Sequence, residues 1–225
     1  MSLLERTIEK IYPQDSSSRD AAKDRLDNLA IPHWALGDLM DLAIDIAGIM
    51  KTVKPEVHQK AIVTMAGDHG VCIENISKYP SEVTPQMVYN FVAGGAGINA
   101  LAGQSGTEIF VVDMGVAADL KDLAESNKII NKKVGLGTDN IAVGPAMSKA
   151  MAKRAIESGI DIANELSGRF DVFGTGDMGI GNTTPSTAIA AVCTGKEVAE
   201  LTGRGTGLDD EQLQHKVSVI ERALA

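Results

Sequence analysis

The chain has 225 residues, 44% of them apolar and only 4% aromatic, with 23 glycines and a formal charge of −9. That length buries about 70% of the unfolded surface, enough for one large domain or for a domain with a small partner. An acidic balance without any basic run argues against a nucleic-acid partner, since nothing is placed to displace counterions. Few aromatics with much glycine and alanine favour helices packed closely on a sheet over a sandwich. Cys72 and Cys193 are far apart with no C-x-x-C neighbour, so both read as ordinary buried thiols rather than a disulfide or metal centre. Met1 to Lys10 mixes charges with apolar residues and no 18-residue apolar run follows. Neither a secretion signal nor a membrane span is expected, and the cytoplasm is the expected address.

In chain order, residues 1–55 read as a helical segment. Arg19 to Leu29 is charged and amphipathic, Pro32 breaks it, and Leu36, Leu39, Ala43, Ile46, Ala47 and Met50 recur at helical spacing. After a polar link from Thr52 to Lys60, residues 56–225 read as an α/β domain with three strand-like runs: Ala61 to Met65, Glu108 to Val112 and Phe170 to Phe173. A helix starts at Thr84 and Pro85, with Gly94, Gly95 and Gly97 thinning its later turns, a sign of close backbone approach or a break; another runs from Pro145 to Gly168. Strands alternating with long helices predict a mainly parallel sheet with right-handed crossovers, whose ligands bind beyond the carboxyl ends of the strands.

After Phe173 the sequence predicts a loop holding Gly174, Gly176, Gly179, Gly181, Asn182, Thr183 and Thr184, then a helix with Thr184 as N-cap, Pro185 at N1 and Gly195 at C′. Glycines let amides approach an anion, and a helix N-terminus aims about half a positive charge at it. The loop therefore reads as a phosphate cradle. Gly174, Gly176 and Gly179 also satisfy G-x-G-x-x-G, the mark of a dinucleotide site and an NAD-dependent oxidoreductase. Against that, the loop runs on past the glycines, and Asp177 stands where a pyrophosphate would need bare amides. Asp68 and His69 suggest a metal, yet no second His or acid falls at ligand spacing, so a structural or pocket-edge role is expected.

The segments Ala66-Gly67-Asp68-His69-Gly70-Val71, Tyr79-Pro80-Ser81-Glu82-Val83-Thr84-Pro85-Gln86-Met87, Val112-Asp113-Met114-Gly115-Val116 and Gly176-Asp177-Met178-Gly179-Ile180-Gly181-Asn182-Thr183-Thr184 closely resemble one family. It is the nicotinate-nucleotide:dimethylbenzimidazole phosphoribosyltransferase family of cobalamin nucleotide-loop assembly. Further matches stand at Gly137-Thr138-Asp139-Asn140 and at Thr202-Gly203-Arg204-Gly205-Thr206-Gly207-Leu208. The resemblance implies transfer of 5-phosphoribosyl from nicotinate mononucleotide to dimethylbenzimidazole with inversion at the anomeric carbon. It implies a doubly wound α/β fold with a small helical domain built from the chain ends, a homodimer, and no cofactor or metal.

By position in the family pattern, Ser77, Tyr79, Glu82, Gln86 and Met87 would line the benzimidazole pocket. Asp177, Gly179, Gly181, Asn182 and Thr183 match the ribose-phosphate loop, with Asp177 replacing a more usual Glu, and Lys216 matches a lysine that meets the phosphate. The family's general-base glutamate would lie beyond Ala225. The chain is thus expected to be a truncated transferase with little turnover, and a noncatalytic nucleotide-binding module is the other reading.

Overall fold

A computed structural model describes residues 1–225, which divide into two compact units, Met1–His58 and Gln59–Ala225. The first unit holds α1 (Leu3–Ile8), α2 (Ser16–Asp27) and α3 (Asp38–Met50). Ser2 and Glu5 form a capping box on α1, and the Asp15 carboxylate accepts the Ser18 N–H at 2.7 Å to open α2. That bond holds the Asp15 carboxyl below its ordinary range. Ala22, Ile44 and Ala47 bury the seam between α2 and α3.

The second unit contains β1 (Lys60–Gly67), a 3₁₀ turn (Gly70–Glu74), α4 (Val83–Val92), α5 (Gly97–Ser105), β2 (Thr107–Gly115) and α6 (Lys121–Glu125). There follow β3 (Ile130–Asn131), α7 (Lys149–Leu166), β4 (Val172–Met178), α8 (Thr183–Thr194), α9 (Val198–Leu201) and α10 (Asp210–Leu224). The four strands form one parallel sheet in the order β3-β2-β1-β4. One face carries Ala66, Val88, Val111, Val116, Leu120 and Leu123, drawing in α4 and α6; the other carries Ala61, Val63, Val112, Ile162 and Leu166, drawing in α7. Side chains alternate across a strand, so Val111 and Val112 feed opposite cores. Helices on both faces of a parallel sheet make this an α/β fold, as the strand–helix alternation predicts.

Two details differ from the sequence reading. β4 starts at Val172 and runs to Met178, so Gly174 and Gly176 are strand residues, not loop. They pair with Ile62 and Thr64 of β1, and a Cβ would stand 3.0 Å from Ile62 Cγ1 and 3.1 Å from Thr64 Oγ1 respectively. Close strand packing, which local β propensity does not register, explains both glycines. The glycines after α4 mark a break, one of the two outcomes the sequence leaves open, with Gly94 at φ +80° before α5 begins. Cys72 is half-buried and Cys193 exposed, against the expectation of two buried thiols.

After β3 the chain crosses to the far side of β1, so the strand order reverses between β1 and β4. A crevice forms where loops leave such a pair in opposite directions. Gly67, Asp68 and His69 form one lip; Asp177, Met178 and Gly179 form the other.

Candidate phosphoribosyl site

The strand tips are locked before any ligand arrives. The Asp68 carboxylate accepts the Ala117 N–H at 2.8 Å, tying β1's tip to the loop after β2, while the Asp68 carbonyl accepts from Thr138 N–H at 3.0 Å. Asp113, buried at the end of β2, accepts the Gly115 and Val116 N–H groups through Oδ1 and pairs with Lys133 at 3.1 Å through Oδ2. Gly70 sits so tightly against Thr138 and Asp139 that a Cβ would approach their backbone to 2.6 Å.

From β4 the chain turns through Gly179 to Asn182 into α8. The turn is held from below: the Ile180 N–H donates to the buried Thr84 hydroxyl at 3.1 Å, and the Cys72 thiol donates to the Ile180 carbonyl at 2.8 Å. A Cβ on Gly179 would lie 2.1 Å from the Gly67 carbonyl oxygen, and Gly181 has φ +87° with Cys72 Sγ 2.8 Å from the same imagined atom. Both positions therefore demand glycine. Asn182 donates through Nδ2 to the Asp177 carboxylate. The helix begins two residues earlier than the sequence predicts, at Thr183, because Asn182 already has αR backbone and makes no side-chain cap. Thr184 lies inside α8, fully buried with its hydroxyl unpartnered, and so is not the cap. The Gly181 and Thr183 N–H groups are left without a partner at the positive end of the helix.

Lys216 reaches this turn from α10. Asp209 and Gln212 form a capping box that starts the helix, and the second turn delivers Lys216 inward, 1% exposed. Its ammonium donates to Thr183 Oγ1 at 2.7 Å and to the Gly203 carbonyl at 3.4 Å, with no carboxylate in the set. Burial pushes its pKa below the ordinary lysine value. Glu74 anchors α10: its carboxylate accepts from Asn140 at 2.7 Å and pairs with Arg222, and its carbonyl bonds His215 at 2.6 Å. The Asn140 and Arg222 hydrogen bonds hold Glu74 below the usual carboxylate range.

His69 projects between the two lips, with Nε2 3.1 Å from the imagined Gly179 Cβ. Burial lowers its pKa from 6.5, against the opposing charges of Asp68 and Asp177, so the ring is neutral at neutral pH. No group of three or more His, Cys, Asp or Glu residues is arranged to hold a metal ion.

A family model described as Phosphoribosyltransferase matches residues 11–225. Nicotinate-nucleotide–dimethylbenzimidazole phosphoribosyltransferase of Desulfotalea psychrophila is 66% identical over 224 residues, covering 100% of this chain and 63% of that protein. The chain belongs to this phosphoribosyltransferase family. The Syntrophotalea carbinolica enzyme of the same name is 53% identical, with 64% of its length covered. The crystal structure of CobT from Thermus thermophilus superposes with TM-score 0.87 at 40% identity, over 92% of this chain and 62% of that one. The chain thus spans less than two thirds of the length of the relatives it matches.

Set against the family pattern, the structure brings Asp177, Gly179, Gly181, Asn182, Thr183 and Lys216 into one turn. Asp177 and Asn182 also line a cavity of about 370 Å³ with His69, Met178 and Ile189. Ser77, Tyr79 and Glu82 share a second open cavity of about 370 Å³ with Cys72. Gln86 and Met87 lie farther along α4 and do not line it. Ser77 bonds the Thr206 hydroxyl at 3.1 Å, which joins this cavity to the glycine-rich 202–208 segment. Sequence reasoning missed Thr84, Cys72 and Glu74, which touch no ligand loop in sequence and act only through tertiary contacts.

Proposed function

We propose that this chain carries the phosphoribosyl-binding part of an enzyme that transfers 5-phosphoribosyl from nicotinate mononucleotide to 5,6-dimethylbenzimidazole, releasing nicotinate. One observation carries the reading. Lys216 is a buried ammonium with no anion, set on Thr183 at an uncapped helix start, and this is a seat prepared for a phosphate. The names of the most similar relatives supply the donor and the acceptor. The dinucleotide reading loses its support, because Gly174 and Gly176 are committed to strand packing.

In this scheme the Gly181 and Thr183 amides and Lys216 hold the 5′-phosphate, and Asp177, steadied by Asn182, accepts the ribose hydroxyls. Bond cleavage discharges a pyridinium and needs little acid assistance. The attacking benzimidazole must lose a proton, and a base within about 2.6–3.2 Å is required. Glu82 is exposed in the open Tyr79 cavity; the resemblance puts the base glutamate beyond Ala225 instead. Tyr79 suits a ring face and Ser77 a ring nitrogen; Met87 and Gln86 are proposed for the same ring on the resemblance alone, since they lie outside the cavity's lining.

Residues 1–55 are proposed as part of a small helical domain. A homodimer is proposed as well, consistent with the exposed Leu36, Leu39, Leu42 and Ile49. No helix is long and apolar enough to cross a membrane, which is compatible with the proposed cytoplasmic address. The test measures nicotinate release from nicotinate mononucleotide and dimethylbenzimidazole by residues 1–225 and by a longer chain, with calorimetry of nucleotide binding to both. Binding by both and turnover by the longer chain alone is expected. Turnover by residues 1–225 would move the base into them, and absence of nucleotide binding would reject the site.

A further inference from the structure

The loop that leaves β2 is wrapped around one ion pair. Asp113 Oδ1 accepts the Gly115 and Val116 N–H groups, and Oδ2 meets the Lys133 ammonium at 3.1 Å. The same ammonium donates to the Val116 carbonyl at 2.5 Å and to the Ala118 carbonyl at 2.9 Å. Those two carbonyls flank Ala117, whose N–H is the group that holds the Asp68 carboxylate. The Asp68 N–H in turn donates to the Gly115 carbonyl at 3.0 Å, so Asp68 is clamped through both its main chain and its side chain by this one loop.

A lysine ammonium has three protons to donate and no lone pair. Each proton of Lys133 has its own oxygen here, so the side chain fills a cation site made of one carboxylate and two carbonyls. Its backbone is fixed independently, because the Lys132 and Val134 N–H groups on either side donate to the Asp113 and Met114 carbonyls at 3.0 and 2.9 Å. Without the ammonium, an Asp113 side chain only 3% exposed and two converging carbonyls would face one another with no positive charge between them. Relief requires residues 116–118 to move apart, and the Ala117 N–H leaves Asp68 when they do.

We infer that Lys133 is a positioning residue for the phosphoribosyl site, an internal cation that folds the 115–118 loop into the clamp on Asp68 and thereby sets the lip at β1's tip. The inference rests on the phosphoribosyl reading of the Gly179–Thr184 turn. Lys133 acts through its neighbours: an added Cβ on Gly179 would stand 2.1 Å from the Gly67 carbonyl oxygen, so this lip and the turn have no slack between them. A small displacement of Gly67 and Asp68 is passed on to the turn.

An open cavity of about 370 Å³ beside Lys133, bordered by Asp119, Lys121, Asn131 and Leu136, gives small molecules a way to the ammonium's place. Lys133→Ala removes the atoms that propylammonium contains, which permits chemical rescue. By calorimetry, Lys133→Ala should bind ribose 5-phosphate about tenfold more weakly than wild type. Propylammonium should restore the affinity to within about twofold, neutral propanol should not, and wild type should respond to neither. Lys133→Met keeps most of the stem's volume without the charge; it should bind as weakly and resist rescue, and it tests the role even if the alanine variant does not fold. Ile162→Ala, in the core on the opposite face of the sheet, should lose stability in urea yet keep wild-type affinity, which separates positioning from stability. Wild-type affinity in the Lys133 variants, rescue by propanol, or an equal loss of affinity in Ile162→Ala would overturn the role while sparing the phosphate seat. Failure of wild-type protein to bind ribose 5-phosphate would remove the phosphoribosyl reading, and this inference with it.

Discussion

Lys216→Met should move stability and binding in opposite directions. The lysine is 1% exposed, and its ammonium has only Thr183 Oγ1 at 2.7 Å and the Gly203 carbonyl at 3.4 Å as partners. A buried charge without a counter-ion costs several kcal/mol after relaxation; the two hydrogen bonds return about 1–3 kcal/mol each at best, the longer one less. Methionine keeps most of the stem's volume. The free variant should therefore be more stable than wild type by about 1–2 kcal/mol, read from urea unfolding without phosphate. Phosphate loses one charge-assisted hydrogen bond worth about 1.5–3 kcal/mol, so ribose 5-phosphate should bind about 10- to 150-fold more weakly by calorimetry. The folded-state pKa of Lys216 lies below 10.5, so the unfolded chain holds the proton more tightly. Wild-type stability should accordingly rise with pH between those two values, and the methionine variant should lack that rise. A variant less stable than wild type, with unchanged ribose 5-phosphate affinity, would refute the view that this lysine waits for an anion.

Gly179→Ala forces a Cβ to 2.1 Å from the Gly67 carbonyl oxygen, so it should cost at least about 1–3 kcal/mol and weaken ribose 5-phosphate binding more than tenfold. A wild-type melting curve would disprove the close approach. Thr84→Val strands the Ile180 N–H and should cost about 1–3 kcal/mol, whereas Thr184→Val removes a hydroxyl that has no partner and should be neutral or stabilising; equal losses would contradict the hydrogen-bond assignment. His69 has its folded pKa below 6.5, so as pH falls below 6.5 the unfolded chain takes the proton first. Wild type then loses at most about 1.4 kcal/mol per pH unit until the folded pKa is passed. His69→Gln should lack this acid limb in unfolding measured from pH 7 to 4, and parallel profiles would show that the imidazole is not desolvated.

The fold was legible where pattern and burial agree. The β-branched run Ala61 to Met65 and the periodic helices needed only local information, and the parallel sheet followed from their alternation. The turn from Gly179 into α8 was legible as a turn before a helix, because glycine, Asn and Thr cluster there ahead of an apolar helical run. What escaped depended on a partner far away in sequence. Gly174 and Gly176 look like loop residues until Ile62 and Thr64 are laid beside them across more than a hundred residues. The 3₁₀ turn at Gly70–Glu74 has no periodicity to reveal it, yet Cys72 holds the Ile180 carbonyl and Glu74 holds α10. Lys216 borders the apolar face of its helix by sequence; only the packing of α10 shows that it is inside.

The unsatisfied polar groups are not scattered. Thr64 Oγ1, Asp68 Oδ1 and Thr184 Oγ1 are the buried side-chain atoms without partners, and they fall on β1, at its tip, and in the first turn of α8. Lys216 and His69 add a cation without an anion and an imidazole without a hydrogen bond in the same neighbourhood. Native proteins keep few such groups, and each costs free energy. Their concentration at the switch point means that this end of the sheet gives up stability that the two cores opposite retain. A ligand that neutralises Lys216 recovers part of it. At a hundred times its dissociation constant it would stabilise the fold by about 2.7 kcal/mol through mass action alone, with the gain concentrated where the amides of Gly181 and Thr183 are free. Hydrogen exchange should therefore slow first at the α8 start and the α10 second turn, and only later in β1 and β2, whose protection already comes from the cores.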